Sequence, residues 1–251
     1  MALIDISRSV SPATAVWPGD QEVQWTWTAR RNEDESSVNL GSLRLSTHTG
    51  THVDAPLHVK RQGQATDDLP LDSFVGPARV VDVNANAPSV RPEHVDRLDG
   101  PSAERVLFKT SSGVSPDDEW PDAVVPIHPD TIHALADAGV SLVGTDAPSV
   151  DPLDSTDLPA HHALLDTGIV NLEGLVLTDV PPGRYELLAL PLKHVGGRCG
   201  SSPGWASRCP RSVAYGRLRE PLRALFGDQM FSIDTAGNVH GDGQTGTSSW
   251  V

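Results

Sequence analysis

The sequence predicts a mixed α/β fold, and three observations carry the prediction. Short apolar stretches with strand-like patterning recur ahead of residue 197. Helical patterns are fewer. With 22 Gly and 21 Pro in 251 residues, much of the chain must be loop.

The elements follow in order. Residues 2–6 (ALIDI) alternate like a short strand. Residues 40–47 (LGSLRLST) set Leu43 and Leu45 on one face and Arg44 and Ser46 on the other. Compact strand candidates lie at 75–83 (VGPARVVDV), 104–109 (ERVLFK), 140–144 (VSLVG) and 186–192 (ELLALPL). Residues 129–138 (PDTIHALADA) start with Pro and stop before Gly139, as a capped helix does. A second helix starts over 160–165. The segment RSVAYGRLREPLRALF has helical character, interrupted by Pro221. There are no internal repeats.

Composition excludes several classes. The formal charge is −14, from 19 basic and 33 acidic residues, whereas a nucleic-acid binder needs a basic face. No apolar run approaches the ~20 residues of a membrane helix. The start, MALIDISRSV, lacks the basic and long apolar regions of a secretory signal, which predicts a cytoplasmic protein. Two cysteines rule out a disulfide scaffold.

The charge is unevenly spread. Residues 1–197 carry 13 basic and 29 acidic residues, while 198–251 carry six Arg, no Lys and four acids. Cys199 and Cys209 both lie in this Gly- and Ser-rich tail, and both are poor metal candidates. The step predicts a domain over 1–197 and a divergent tail over 198–251 that is frame-shifted, disordered or a genuine extension.

The informative segment is 47–58, THTGTHVDAPLH. His48, His52, Asp54 and His58 sit at even offsets, so on an extended chain they share one face. A straight strand would hold His48 and His52 roughly 13 Å apart, too far to share one ion. A helix would swing Asp54 away, and the β-branched residues and Pro56 disfavour one. Gly50 offers a bend. The expectation is a strand ending near Thr47, then a tight turn gathering His48, His52 and Asp54 into a site that suits zinc or manganese. A second cluster, DLPAHHALLDTGIVNLEG at 157–174, holds His161, His162 and Glu173. Alone it reads as a helix cap and a surface acid.

The string HTGTHVDAPLH resembles the signature of the metal-dependent cyclase-like amidohydrolases, and within them the bacterial kynurenine formamidases. VWPGD at 16–20, LVGTDAPSVDPLDSTDLPAHH at 142–162 and LEGLVLTDVPPGRYELLALPLK at 172–193 resemble further blocks in the same order. The resemblance implies a swivelling β/β/α domain with mixed sheets, working as a homodimer. It implies that His48, His52, Asp54, His161 and Glu173 bind two divalent ions, zinc or else manganese, that His58 transfers protons, and that Trp17 lines the substrate pocket. Ligand number agrees, because five ligands exceed the three of an open catalytic zinc and serve two ions if both carboxylates bridge. The implied reaction is hydrolysis of N-formyl-L-kynurenine to L-kynurenine and formate by a metal-bound hydroxide, in tryptophan breakdown. The alternatives are another amide hydrolase of the superfamily, such as an isatin-type enzyme, or a silent binding member. Asp146 and Asp151 are candidates to orient a ligand imidazole. After LPLK the resemblance stops, and loss of the family's closing strand would leave a sheet edge unpaired.

Overall fold

A computed structural model describes residues 3–32, 36–84, 86–95, 104–197, 199–201, 205–208, 231–233 and 239–241. The strands are β1 (Leu3–Asp5), β2 (Gln24–Ala29), β3 (Leu40–Arg44), β4 (His52–Asp54), β5 (Val75–Asp82), β6 (Arg105–Lys109), β7 (Leu142–Thr145), β8 (Val170–Glu173) and β9 (Gly183–Leu188). Four more follow: β10 (Cys199–Ser201), β11 (Trp205–Arg208), β12 (Phe231–Ile233) and β13 (Val239–Gly241). The two α-helices are α1 (Pro129–Asp137) and α2 (Pro159–Thr167). The mixed α/β expectation holds.

Nine strands form one mixed sheet in the order β1-β11-β9-β5-β6-β7-β8-β4-β10. Its centre, β5 to β8, is parallel, and the flanking pairs are antiparallel. The parallel strands are buried on both faces, so Arg105–Lys109 and Leu142–Thr145 read as near-continuous apolar runs. Strand alternation separates two cores. Leu107, Leu142 and Leu172 join Phe74, Val80, Tyr185 and Leu187 on one face. Val106, Phe108 and Val143 meet Ile132, Leu135, Ala160 and Leu164, and hence both helices, on the other.

β2 and β3 form a separate hairpin. The predicted strand over 40–47 ends at Arg44, three residues early, because the chain turns from Ser46, whose carbonyl accepts from the Thr49 amide at 3.2 Å. The strand expected over 186–192 instead covers 183–188, since Pro191 carries no amide to continue a ladder. The sheet edge expected to stand unpaired is covered. Trp205–Arg208 lies between β1 and β9, and Cys199–Ser201 pairs with β4.

By its contacts the chain divides after residue 209, and the described part of the second unit is the β12–β13 hairpin. The helix expected around RSVAYGRLREPLRALF, and most of the tail over 198–251, lie outside the described residues.

Candidate metal centre

The register of β4 on β8 builds the floor of the site. His52 lies opposite Glu173, and Asp54 opposite Asn171. Val53 and Leu172 alternate into one core, so His52, Asp54, Asn171 and Glu173 all point to the face that carries the helices. All four are buried.

His48 arrives from the preceding turn. Gly50 adopts φ +68°, a left-handed conformation that a residue with a Cβ resists. The bend brings the His48 and His52 rings to a centroid distance of 5.1 Å, in place of the separation a straight strand imposes. The turn is then locked onto β8. Thr51 Oγ1 donates to the Gly174 carbonyl at 2.6 Å and accepts from the Arg8 amide at 2.8 Å. Gly174 has φ +67°, and a Cβ there would meet the Gly50 carbonyl oxygen at 2.3 Å.

His161 descends from the first turn of α2. Asp151 accepts from the Ala160 and His161 amides at 2.8 and 3.0 Å, capping the helix, and from His161 Nδ1 at 2.7 Å. That bond fixes the proton on Nδ1 and turns Nε2 toward Asp54 Oδ2 at 3.4 Å and Glu173 Oε1 at 3.6 Å. His52 is held likewise: Nδ1 donates to the Gly50 carbonyl at 3.1 Å, and Nε2 stands 3.6 Å from Asp54 Oδ1 and 3.4 Å from Glu173 Oε2. Of the two aspartates proposed as orienters, Asp151 touches an imidazole. Asp146 does not, because its carboxylate is engaged by the Thr110 amide and hydroxyl at 2.7 and 2.5 Å.

Six of the seven residues singled out from the sequence therefore converge: His48, His52, Asp54, His58, His161 and Glu173. Their ligand-capable atoms form two triads that share Asp54. One is His52, Asp54 and Glu173; the other is His48, Asp54 and His58. His58 stands 4.3 Å from His48 and 5.6 Å from His161 by ring centroids, and lines a cavity of ≈ 440 Å³ with Asp54 and His161. Trp17 lies apart from the cluster, edge-to-face with Trp120 at 5.4 Å in a second pocket. His162, next to the ligand candidate, is exposed.

The electrostatics suit a cation. Burial alone would lower the His52 pKa, but the hydrogen bond to Glu173 and the charges of Asp54 and Glu173 outweigh it and push it up to about 9. Burial works the same way on His161, where the bonds to Asp151 and Asp54 raise it to about 10. Burial would raise Asp54, yet the adjacent imidazoles of His161, His48 and His52 hold it well below the usual carboxylate range. For His58 burial prevails, and its pKa is lowered. A divalent cation competes for the lone pairs that hold these imidazole protons. Asp54 Oδ1 supplies a direct test of fit. It is buried between the His48 and His52 imidazoles and accepts no well-aligned hydrogen bond. Three imidazoles and two carboxylates around such an atom form a donor set for a borderline divalent ion.

Sequence reasoning missed Asn171. Its Nδ2 donates to Asp54 Oδ2 at 3.2 Å and to Glu173 Oε1 at 2.9 Å, holding two like charges together. The signal was present, since Asn171 and Glu173 share one face of a strand. Trp120 was missed as well, because a lone loop tryptophan carries no periodicity.

The putative cyclase family matches residues 4–152. The chain is 96% identical over 197 residues to a kynurenine formamidase of Salinibacter ruber (strain DSM 13855 / M31), covering 78% of this chain and 93% of that one. It is 46% identical over 196 residues to a kynurenine formamidase of Erythrobacter litoralis (strain HTCC2594), covering 78% and 89%. Among solved structures, a potential metal-dependent hydrolase with cyclase activity superposes with a TM-score of 0.71 at 28% identity, over 83% of this chain and 99% of that one. Isatin hydrolase A from Labrenzia aggregata shares the fold, with a TM-score of 0.70 at 22% identity over 83% and 94%.

Proposed function

Because the chain belongs to the cyclase family, we propose that the cluster gathered by β4, β8 and α2 is the reaction centre of an amide hydrolase. The chain hydrolyses N-formyl-L-kynurenine to L-kynurenine and formate. One observation carries this reading: near-identity to a kynurenine formamidase over most of both chains, with the whole His/Asp/Glu cluster assembled at one place. An isatin-type substrate is not favoured, since those relatives share the fold at much lower identity.

His48, His52, Asp54, His161 and Glu173 would hold divalent metal, two ions by ligand number, zinc before manganese. Bound there, divalent metal supplies an acidified water and a Lewis acid for the formyl oxygen. The chain's own groups do the rest. Asp151 and the Gly50 carbonyl aim two imidazoles, and Asn171 holds the carboxylates in place. His58, kept neutral by burial, takes a proton from the attacking water and delivers it through its ring nitrogen to the leaving aniline nitrogen. Trp17 supplies an aromatic wall for the substrate.

One face of the β2–β3 hairpin exposes Trp25, Trp27 and Leu43, an apolar surface that suits a homodimer. Among the described residues no helix is long and apolar enough to cross a membrane, in keeping with a cytoplasmic enzyme. Residues 1–197 carry every residue of the cluster, and 198–251 read as a divergent or frame-shifted tail whose first two strands, β10 and β11, join the main sheet. The charge step supports this, as does the 197-residue span of the 96% match.

The test combines metal and proton transfer. A chelator should abolish turnover of N-formylkynurenine, and added zinc should restore it. His58→Ala should lower kcat by about 10²–10⁴-fold with metal content unchanged. Loss of metal from that variant would make His58 a ligand, as its place beside His48 and Asp54 also permits. Full turnover by metal-free protein would overturn the mechanism.

A further inference from the structure

The five proposed metal ligands divide into two triangles that meet at Asp54. On one side His48 Nδ1 lies 3.3 Å from His52 Nε2 and 3.1 Å from Asp54 Oδ1, and the third edge, His52 Nε2 to Asp54 Oδ1, is 3.6 Å. Tetrahedral zinc with bonds of about 2.0–2.1 Å spaces its ligands roughly 3.3 Å apart, so this triangle already has the size of one coordination face. Its oxygen is buried and accepts no well-aligned hydrogen bond. On the other side His161 Nε2 stands 3.4 Å from Asp54 Oδ2 and 3.6 Å from Glu173 Oε1. Those edges are of the same length, yet both oxygens are already engaged.

Asn171 engages them. Its Nδ2 has two hydrogens and spends one on Asp54 Oδ2 at 3.2 Å and the other on Glu173 Oε1 at 2.9 Å. The Val150 amide donates a second bond to Glu173 Oε1 at 2.9 Å, which uses both lone pairs of that oxygen. A cation reaches Oε1 only if one of these two bonds gives way. The Val150 N–H is fixed by the main chain. The Asn171 amide is the one free to turn, because its buried Oδ1 accepts no hydrogen bond from any described residue and so does not anchor it.

Resting on the proposed metal centre, we infer that Asn171 is a positioning residue that ranks the two ion positions. Its amide clamps Asp54 to Glu173 and leaves Asp54 Oδ1 open beside His48 and His52, where the first ion settles. The same amide occupies the carboxylate face beside His161, so a second ion binds more weakly because it must displace a hydrogen-bond donor. Between the two binding constants the chain holds a single ion, and the concentration at which the pair is completed is set by a neutral side chain that is itself no ligand.

The experiment titrates metal-stripped, full-length protein with zinc against a chromogenic chelator and follows the histidine ring nitrogens by NMR. Wild type should take up two equivalents in two steps separated by about 10–100-fold. At one equivalent the His48 and His52 ring signals should move and those of His161 should stay. Asn171→Ala should tighten the second step and narrow the gap to about threefold or less. Asn171→Asp, of the same size but without the N–H donors, should narrow it likewise, and serves if the alanine variant does not fold. Equal steps in the wild type overturn the inference, as does a first equivalent that moves His161. So does a gap left at its wild-type width in the variants, with both steps weakened alike, which is what a packing role alone predicts. Absence of any zinc uptake would sink the metal centre itself. Turnover of N-formylkynurenine is assayed separately, and ordered uptake without turnover would remove the substrate assignment while upholding the role of Asn171.

Discussion

Asp151 performs two tasks with one carboxylate. It caps α2 through the Ala160 and His161 amides, and it holds His161 Nδ1. Asp151→Asn keeps much of the cap but surrenders the charge that fixes the imidazole tautomer. Metal affinity should fall about 10–100-fold in a competition titration against a chromogenic chelator. Lost capping alone would lower stability by about 1 kcal/mol and leave affinity as it was. His161 and Glu173 were legible only through resemblance, because spacing along the chain says nothing about which distant segments meet. His48, His52 and Asp54 were legible from chemistry. Their crowding demanded a bend, and Gly50 was the residue able to make one. Asn171 was legible only once Glu173 was placed on a strand, because it then shares a face with Glu173.

At the scale of elements, the ends of β6 and β7 are joined through Asp146, which follows β7 and bonds Thr110, which follows β6. Burial pushes the Asp146 carboxyl up to about 6, although the Thr110 bonds pull it down. The unfolded chain releases this proton near pH 4, so between pH 4 and 6 the folded state binds more protons than the unfolded state. Asp146 therefore contributes stability at acid pH that is lost as pH rises through about 6, a loss on the order of 2–3 kcal/mol. Denaturant titrations of wild type and Asp146→Asn should differ progressively between pH 4 and 7, in the variant's favour, and run parallel above pH 7. A constant difference would show that this carboxyl titrates normally. The elements themselves were read unevenly. β5, β6, β7 and α1 announce themselves by apolar runs and caps. β2 escaped because both of its faces are exposed, and β8 because four residues are too few for a period.

At the scale of the molecule, the β2–β3 hairpin is the feature left over once the two cores are accounted for. Trp25 and Leu43 are register partners, and both are about half exposed. If two copies meet through this surface, sedimentation of the wild type should report twice the chain mass. Trp25→Glu/Leu43→Glu should then run as a monomer with unchanged thermal stability of the separate chain. A wild type that sediments as one chain removes the homodimer.

The pairing of His52 with Glu173 has a consequence for biogenesis. Almost half the polypeptide lies between those two positions, and the second arrives on β8, after β5, β6 and β7 have been made. A nascent chain on the ribosome thus offers only the upstream imidazoles and Asp54, and a cation caught there finds no second carboxylate. If the cluster holds a cation through both carboxylates, its loading would wait until translation has passed β8 and the parallel strands have closed. A cation held by the complete cluster would therefore report that β8 has joined β4.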